Sequence, residues 1–170
     1  MTAAIAIFDW LCRGLAWISG GLAAFVMGVT FIGVLMRYVF RHPLSGGFEM
    51  IEIGMGLIVF TALPLMVRKR GNIQVTVLYD RFPEGLRVAL RILSELTGAG
   101  LSGLMAWRIW LQGERLLTYN EVTMELRIPK GLIAQGMSVM LAITALAFLV
   151  CAYEALRRTA PPSGSEIGEI

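Results

Sequence analysis

Charged residues are scarce in this sequence and are absent from two long stretches of it. Asp, Glu, Lys and Arg make up only 16% of the 170 residues, whereas 56% are apolar; in soluble domains about a quarter of the residues are charged. No charged residue occurs from Gly14 to Met36 or from Gly131 to Tyr153. Because a helix needs about 20 apolar residues to cross the hydrocarbon core of a bilayer, this pattern predicts an integral membrane protein.

The residue types that most catalytic and cofactor sites need are also rare. The chain has one histidine, His42, and its two cysteines, Cys12 and Cys151, lie near opposite ends. These counts exclude a bis-histidine haem site and argue against a disulfide framework and a thiol–disulfide exchange enzyme. The sequence contains neither a phosphate-binding glycine loop nor a GxSxG nucleophile motif. We therefore expect no enzyme activity, no cofactor and no metal site, and we interpret both cysteines as small apolar residues of the helices.

Four apolar segments predict an all-α integral membrane bundle of four transmembrane helices. The predicted spans cover about residues 14–36, 48–67, 92–111 and 131–153. The third span is the least apolar, because Glu95 and Arg108 lie near its two ends, where both side chains are expected to reach the headgroups. Residues 1–158 then form one membrane domain. Residues 159–170 are rich in Pro, Ser and Gly and are expected to form a disordered cytoplasmic tail.

The distribution of basic residues predicts that both termini face the cytoplasm. Four spans place the termini and the loop between the second and third spans on one side, and that side holds most of the Lys and Arg outside the spans. Membrane topology thus explains the net charge of +3, and we expect no nucleic-acid partner. Residues 1–13 carry Asp9 where a signal peptide would be basic. We interpret them as the start of a retained first helix, entered through an amphipathic turn at the interface.

The loop that follows the second span is the most basic part of the chain. Between the second and third spans we expect a short interfacial segment, because the apolar alternation in this loop has no partner strand. Arg68, Lys69 and Arg70 open the loop. Basic residues at the cytoplasmic surface are attracted to anionic lipid, so these three are predicted to anchor the cytoplasmic end of the second span to membrane lipids.

Small residues recur at every fourth position of the third span, at Ser94, Gly98, Ser102 and Ala106. Residues four apart lie on one face of a helix, and small residues at that spacing let transmembrane helices approach closely. The four residues therefore predict a helix-packing stripe. The sequence leaves open whether the partner helix belongs to this chain.

The turn between the first two spans has the sequence RYVFRHPLSGGFEMIE, residues 37–52, and it is unusually polar. Pro43 and the Ser-Gly-Gly run predict a periplasmic turn. The turn also carries four charged side chains, Arg37, Arg41, Glu49 and Glu52. The two glutamates fall in the first turn of the second helix, where the helix dipole favours carboxylates. We hypothesise that these four side chains contact another subunit.

Two functions remain compatible with these residues alone, besides a scaffold in a larger complex. One is a self-sufficient small transporter that works as a homodimer, with Glu49, Glu52 and Glu95 as candidates for ion coupling. The other is a membrane anchor for an unrelated complex. The placement of the ionisable residues near helix ends favours a scaffold or an anchor, since transporters place such groups near the midplane.

Several short motifs, taken in order, resemble those of one known family. They are RYVFRHPLSGGFEMIE, FTALPLMVRKRGNIQV, LYDRFP and ELRIPKGL. Their order and spacing resemble the small permease subunit, DctQ-like, of tripartite ATP-independent periplasmic (TRAP) transporters, over roughly residues 30–145. Two positions depart from the family pattern, because Asn72 stands where histidine is commoner and Phe48 stands where tryptophan often precedes the first glutamate.

The resemblance implies a subunit of a secondary transporter in the bacterial inner membrane. In that family a large permease subunit holds the substrate and sodium sites, and a soluble periplasmic binding protein delivers an organic acid such as a C4-dicarboxylate. The small subunit stabilises the large one as a scaffold. The resemblance thus implies that this chain's partners are the large permease subunit, the periplasmic substrate-binding protein and membrane lipids, and that residues 37–52 help to dock the binding protein.

Overall fold

The computed structural model describes residues 2–42, 44–69 and 84–158, which form four helices. They are α1 (Thr2–Tyr38), α2 (Gly47–Arg68), α3 (Glu84–Thr118) and α4 (Lys130–Arg158). In the described residues the only β contact is an isolated bridge between Val122 and Pro129. The all-α prediction is therefore confirmed. Most of the predicted interfacial segment and the whole predicted tail lie outside the described residues.

Three of the described helices are long and apolar enough to cross a membrane on their own. These candidate spans are Ile5–Tyr38, Gly47–Arg68 and Lys130–Leu156. Large apolar side chains are widely exposed, including Trp17 and Phe31 on α1 and Trp107 on α3. Soluble monomers rarely expose apolar patches of more than a few hundred Å², so these outer faces fit a lipid environment.

α3 has 35 residues, but it is not among the helices whose composition alone is apolar enough to span a membrane. Its packing against α4 gives separate evidence of its position in the bundle. It runs antiparallel to α4. A Cβ added at Gly98 would lie 2.7 Å from Phe148 near one end of the contact, and a Cβ at Gly113 would lie 3.1 Å from the carbonyl oxygen of Gly131 at the other. α3 thus lies along the candidate span α4 between these points, and its crossing of the membrane stays a prediction.

The predicted small-residue stripe lies partly in this same contact. Gly98 faces Phe148, and the hydroxyl of Ser138 on α4 donates a 2.7 Å hydrogen bond to the carbonyl oxygen of Ala106. Ser102 donates to the carbonyl of Gly98 on its own helix, and Ser94 is exposed. The helix that packs on Gly98 and Ala106 is thus α4 of this chain.

The position of Glu95 differs from the prediction. Its residue is only 9% exposed, so the side chain does not reach outward to the headgroups. It lies one turn before Ala99, which is also buried, on the face of α3 that packs against the bundle. The snorkelling interpretation was wrong for Glu95 because the packing of α3 turns this face inward, and hydropathy along the chain does not contain that information.

The remaining contacts join α1 to α2 and α2 to α4. Between α1 and α2, the hydroxyl of Ser19 donates a 3.0 Å hydrogen bond to the carbonyl oxygen of Ile58. Between α2 and α4, Val67 packs with Ala147 and Cys151 in a buried cluster. Cys12 and Cys151 are both free and buried, as expected for small apolar residues. The bundle is therefore two helix hairpins joined through α2 and α4.

α1 is one continuous helix from Thr2, so residues 2–13 do not form a separate interfacial turn. Phe8 packs against the buried cluster of Val67, Ala147 and Cys151. The charge-free run starts at Gly14 because Asp9 and Arg13 precede it, but the helix continues through both residues. Phe8 therefore has apolar partners inside the bundle, whereas Trp10 and Leu11 are exposed, and an amphipathic entry of α1 at the interface stays a prediction.

Candidate functional site

Charged side chains join separate parts of the chain at both ends of the bundle. We call one end, where α1 begins and α2 and α4 finish, the Arg68 end. The opposite end, where α2 begins and the α3–α4 loop lies, is the Glu49 end. Each end is named for a charged side chain that holds separate parts of the chain together.

At the Arg68 end, one arginine connects three helices, and we call this contact the Arg68 clamp. The Nε–H of Arg68 donates a 2.6 Å hydrogen bond to Oδ1 of Asp9 on α1, and its Nη1 donates a 3.0 Å hydrogen bond to Oε1 of Glu154 on α4. The Arg68 side chain is 10% exposed, and those of Asp9 and Glu154 are 33% and 29% exposed. Two directed charge-assisted bonds to different helices use the fixed fork of the guanidinium, which a lysine does not have.

The clamp changes the interpretation of the three basic residues predicted to anchor lipid. Arg68 has protein carboxylates as partners and is largely buried, so its geometry does not support a role in binding lipid. Lys69 is exposed, and its backbone N–H donates to the carbonyl of Leu65 at the end of α2. Arg70 lies outside the described residues. A lipid contact at this end therefore remains a prediction for the basic residues around the clamp.

At the Glu49 end, a carboxylate joins α2 to the α3–α4 loop, and we call this contact the Glu49 latch. Oε1 of Glu49 accepts a 2.9 Å hydrogen bond from the N–H of Glu125, and Oε2 accepts a 3.0 Å hydrogen bond from the N–H of Leu126. Both carboxylate oxygens are thus used by consecutive backbone amides. The predicted helix-dipole role explains why Glu is favourable in this turn, but it does not predict these partners.

The α3–α4 loop is preorganised to present these two amides. Thr123 and Ile128 close a short hairpin, because the N–H of Thr123 donates to the carbonyl of Ile128 and the N–H of Ile128 donates to the hydroxyl of Thr123. The turn between them exposes the amides of Glu125 and Leu126 to Glu49. The side chain of Leu126 lies over Gly46, where a Cβ would come within 3.0 Å of it. Gly46 also has φ = 77°, which favours glycine. Both the close approach of Leu126 and this backbone conformation therefore favour glycine at the corner before α2.

The four predicted partner-contact residues do not form one cluster. Glu49 is engaged within the chain, whereas Arg37, Arg41 and Glu52 are exposed. Among the described residues, no ion pair involves any of these three. Arg41 has φ = 53°, a left-handed conformation that is uncommon outside glycine. The structure thus leaves Arg37, Arg41 and Glu52 exposed at the Glu49 end, whereas Glu49 is half-buried and bonds to the α3–α4 loop; a partner contact by any of the four stays a prediction.

A comparison with protein families decides which kind of membrane protein this is. The family model described as "Tripartite ATP-independent periplasmic transporters, DctQ component" matches residues 26–159. The chain belongs to the DctQ family. No curated protein matches it.

Membership in the DctQ family fixes the general role and location. This family supplies the small component of TRAP transporters, which also contain a large permease and a substrate-binding protein. DctQ components are inner-membrane proteins and are not enzymes. The chain is therefore a multi-pass membrane component of a transport system. Its described residues contain no group of three His, Cys, Asp or Glu side chains that could hold a metal ion.

In this DctQ component, sequence reasoning identified Arg68 and Glu49 but missed their partners. Asp9 and Glu154 are separated from Arg68 by 59 and 86 residues, and neither was singled out as a site. A usable signal existed, because the predicted topology places Asp9, Arg68 and Glu154 on the same side of the membrane near the ends of three spans. Isolated charges at equal depth are expected to pair.

Proposed function

We propose that this chain is the static scaffold of a sodium-driven TRAP transporter for organic acids, holding the large permease subunit in the bilayer. The observation that carries the proposal is that charged side chains tie both ends of the bundle: the Arg68 clamp joins α1, α2 and α4, and the Glu49 latch joins α2 to the α3–α4 loop. In a subunit that slides or rocks to carry substrate, some helices must be free to separate from the others. Ties at both ends instead support a rigid body against which another subunit moves.

The charge distribution supports the same role. The charge-free runs lie inside α1 and α4, and the ion pairs among the described residues join Asp9, Arg68 and Glu154, which lie near helix ends. Secondary transporters bind substrates and coupling ions near the bilayer midplane, at broken helices. All four described helices are continuous α-helices, although α2 contains Pro64. The substrate and sodium sites are therefore assigned to the large subunit, and the organic-acid substrate follows from the family resemblance.

We further propose that Arg37, Arg41 and Glu52 contribute to docking, either of the large subunit or of the periplasmic binding protein. These residues are exposed at the Glu49 end and have no ion-pair partner among the described residues. The latch supports this surface, because it fixes the α1–α2 turn against the α3–α4 loop. Rim charges of this kind set orientation and association rate more than affinity.

Affinity purification of the full chain from its native membrane tests the scaffold role. With a tag at the C-terminus and a mild detergent, we expect a large multi-span permease to co-purify in stoichiometric amount. Reconstituted vesicles with both subunits should take up an organic acid in response to a sodium gradient, and vesicles with this chain alone should not. Recovery of a homodimer that transports by itself would contradict the proposal.

The docking role has its own test in the same vesicles. Reversing Arg37 and Arg41 to glutamate should lower uptake at limiting binding protein while the two membrane subunits still co-purify. The matched control reverses Arg115 to glutamate, an exposed arginine in the last turn of α3. Equal uptake by the Arg37/Arg41 variant and the control would remove the docking role and leave the scaffold role untouched.

A further inference from the structure

An open cleft of about 370 Å³ lies at the Arg68 end between α1 and α2. Its lining contains three basic residues, Arg13, Arg68 and Lys69, together with Asp9 and Leu65. This composition stands out because the bundle is otherwise so poor in charge. The cleft is not part of the predicted partner-contact surface, which lies at the opposite end.

The clamp divides the charges of the cleft into two groups. Arg68 is committed to Asp9 and Glu154 through directed hydrogen bonds, so those carboxylates are already occupied by a guanidinium. Arg13 and Lys69 are exposed and form no ion pair with a described carboxylate. The Nε–H of Arg13 reaches only the backbone carbonyl of Asp9, at 3.4 Å. The cleft therefore offers two cations, one from each of two helices, without a carboxylate partner in the described structure.

The depth of the cleft matches the headgroup layer of a bilayer. The apolar candidate span of α2 ends at Arg68, so Lys69 stands at the boundary between hydrocarbon and water. Leu65, one turn deeper, gives the cleft an apolar wall. On α1, Trp17 is 83% exposed and follows Arg13 by four residues, which places it on the same helix face one turn deeper. Tryptophan is enriched at this interfacial depth because its ring is apolar and its N–H is polar.

We propose that this cleft binds the phosphate of an anionic phospholipid, with Arg13 and Lys69 holding the headgroup and with Leu65 and Trp17 lying beside the upper acyl chains. A single phosphodiester charge complements two cations from different helices. The bound lipid would then hold α1 to α2 beside the clamp. The proposal concerns this chain alone and does not depend on which subunit it supports.

Native mass spectrometry of the full chain in detergent tests the site, with palmitoyl-oleoyl-phosphatidylglycerol as the probe and the corresponding phosphatidylcholine as the zwitterionic comparison. The test variant carries Arg13→Gln and Lys69→Gln. The matched control carries Arg37→Gln and Arg41→Gln, two exposed arginines at the opposite end. We expect phosphatidylglycerol to bind about five-fold more weakly for each charge removed from the cleft, or about thirty-fold for both, and we expect unchanged binding by the control.

Three results would overturn the proposal. If both variants lose phosphatidylglycerol equally, the attraction is a general effect of positive charge. If phosphatidylcholine binds the unaltered chain as tightly as phosphatidylglycerol, and if the cleft variant changes the binding of neither lipid, the cleft does not recognise anionic headgroups. Millimolar inorganic phosphate serves as a separate arm: if it displaces the lipid and itself binds in an Arg13- and Lys69-dependent way, the ligand is free phosphate rather than a lipid.

Discussion

Replacing Arg68 with methionine tests whether the Arg68 clamp stabilises the bundle. Methionine keeps much of the length of the side chain but removes both hydrogen bonds, and it leaves the carboxylates of Asp9 and Glu154 without the guanidinium that both contact. Breaking a fully buried ion pair by removing one partner costs about 3–5 kcal/mol, whereas exposed pairs contribute about 0–1 kcal/mol. The arginine is largely buried, but its carboxylates are about a third exposed. We therefore expect a loss of about 2 kcal/mol in the free energy of unfolding.

Equilibrium unfolding in mixed micelles, followed by far-ultraviolet circular dichroism during titration with denaturing detergent, measures this loss. The control is Arg37→Met, because Arg37 is exposed and has no ion pair among the described residues. A lysine at position 68 should fall between arginine and methionine, since one ammonium lacks the fork that reaches two helices. If Arg68→Met costs no more than Arg37→Met, the clamp does not stabilise the fold and the argument for a bundle tied at this end fails.

Two further substitutions test the Glu49 latch and the close contact of α3 with α4. Glu49→Gln replaces one of the two acceptor oxygens by an amide NH2 group, so the backbone amide that faces this group, that of Glu125 or that of Leu126, should exchange with solvent faster. Glu52→Gln should leave both exchange rates unchanged, and equal rates in the two variants would refute the latch. Gly131→Ala should destabilise the bundle by about 1–3 kcal/mol, because its Cβ would lie 2.6 Å from a backbone oxygen of α3, whereas a Cβ at Gly136 meets nothing within 4 Å. Unfolding of Gly131→Ala and Gly136→Ala at the same detergent concentration would show that the contact is looser than described.

The helices could be predicted from the sequence because the signal for a transmembrane helix is local. Long runs without charge identify α1 and α4, a third apolar segment identifies α2, and each predicted span lies inside the observed helix. α3 was harder, because Glu95 and Arg108 lower its hydropathy. It was still predicted as an apolar segment because both charges lie near its ends, and its packing along α4 is consistent with that prediction. The fold class therefore follows from composition and spacing.

The contacts that tie the ends of the bundle could be predicted only in part, for two different reasons. The Arg68 clamp joins side chains that are far apart in sequence, but all three are charged and lie at the same predicted depth, so topology could have suggested them. The Glu49 latch is different, because its donors are backbone amides of Glu125 and Leu126. Every residue other than proline carries such a donor, so the sequence contains no mark of which amides a carboxylate will reach.

The outer surface of the bundle limits how a partner subunit can recognise it. Within the bilayer, exposed apolar area alone does not drive helices together, because lipid tails are as apolar as the side chains they would leave. Recognition at that depth comes from close packing and from hydrogen bonds between helices. In the docking role that we propose, the exposed charges at the Glu49 end would add orientation, since a wrongly placed partner would leave Arg37 and Arg41 beside groups of the same sign or without a counter-charge. Their reversal should therefore affect the orientation of docking more than the amount of complex formed.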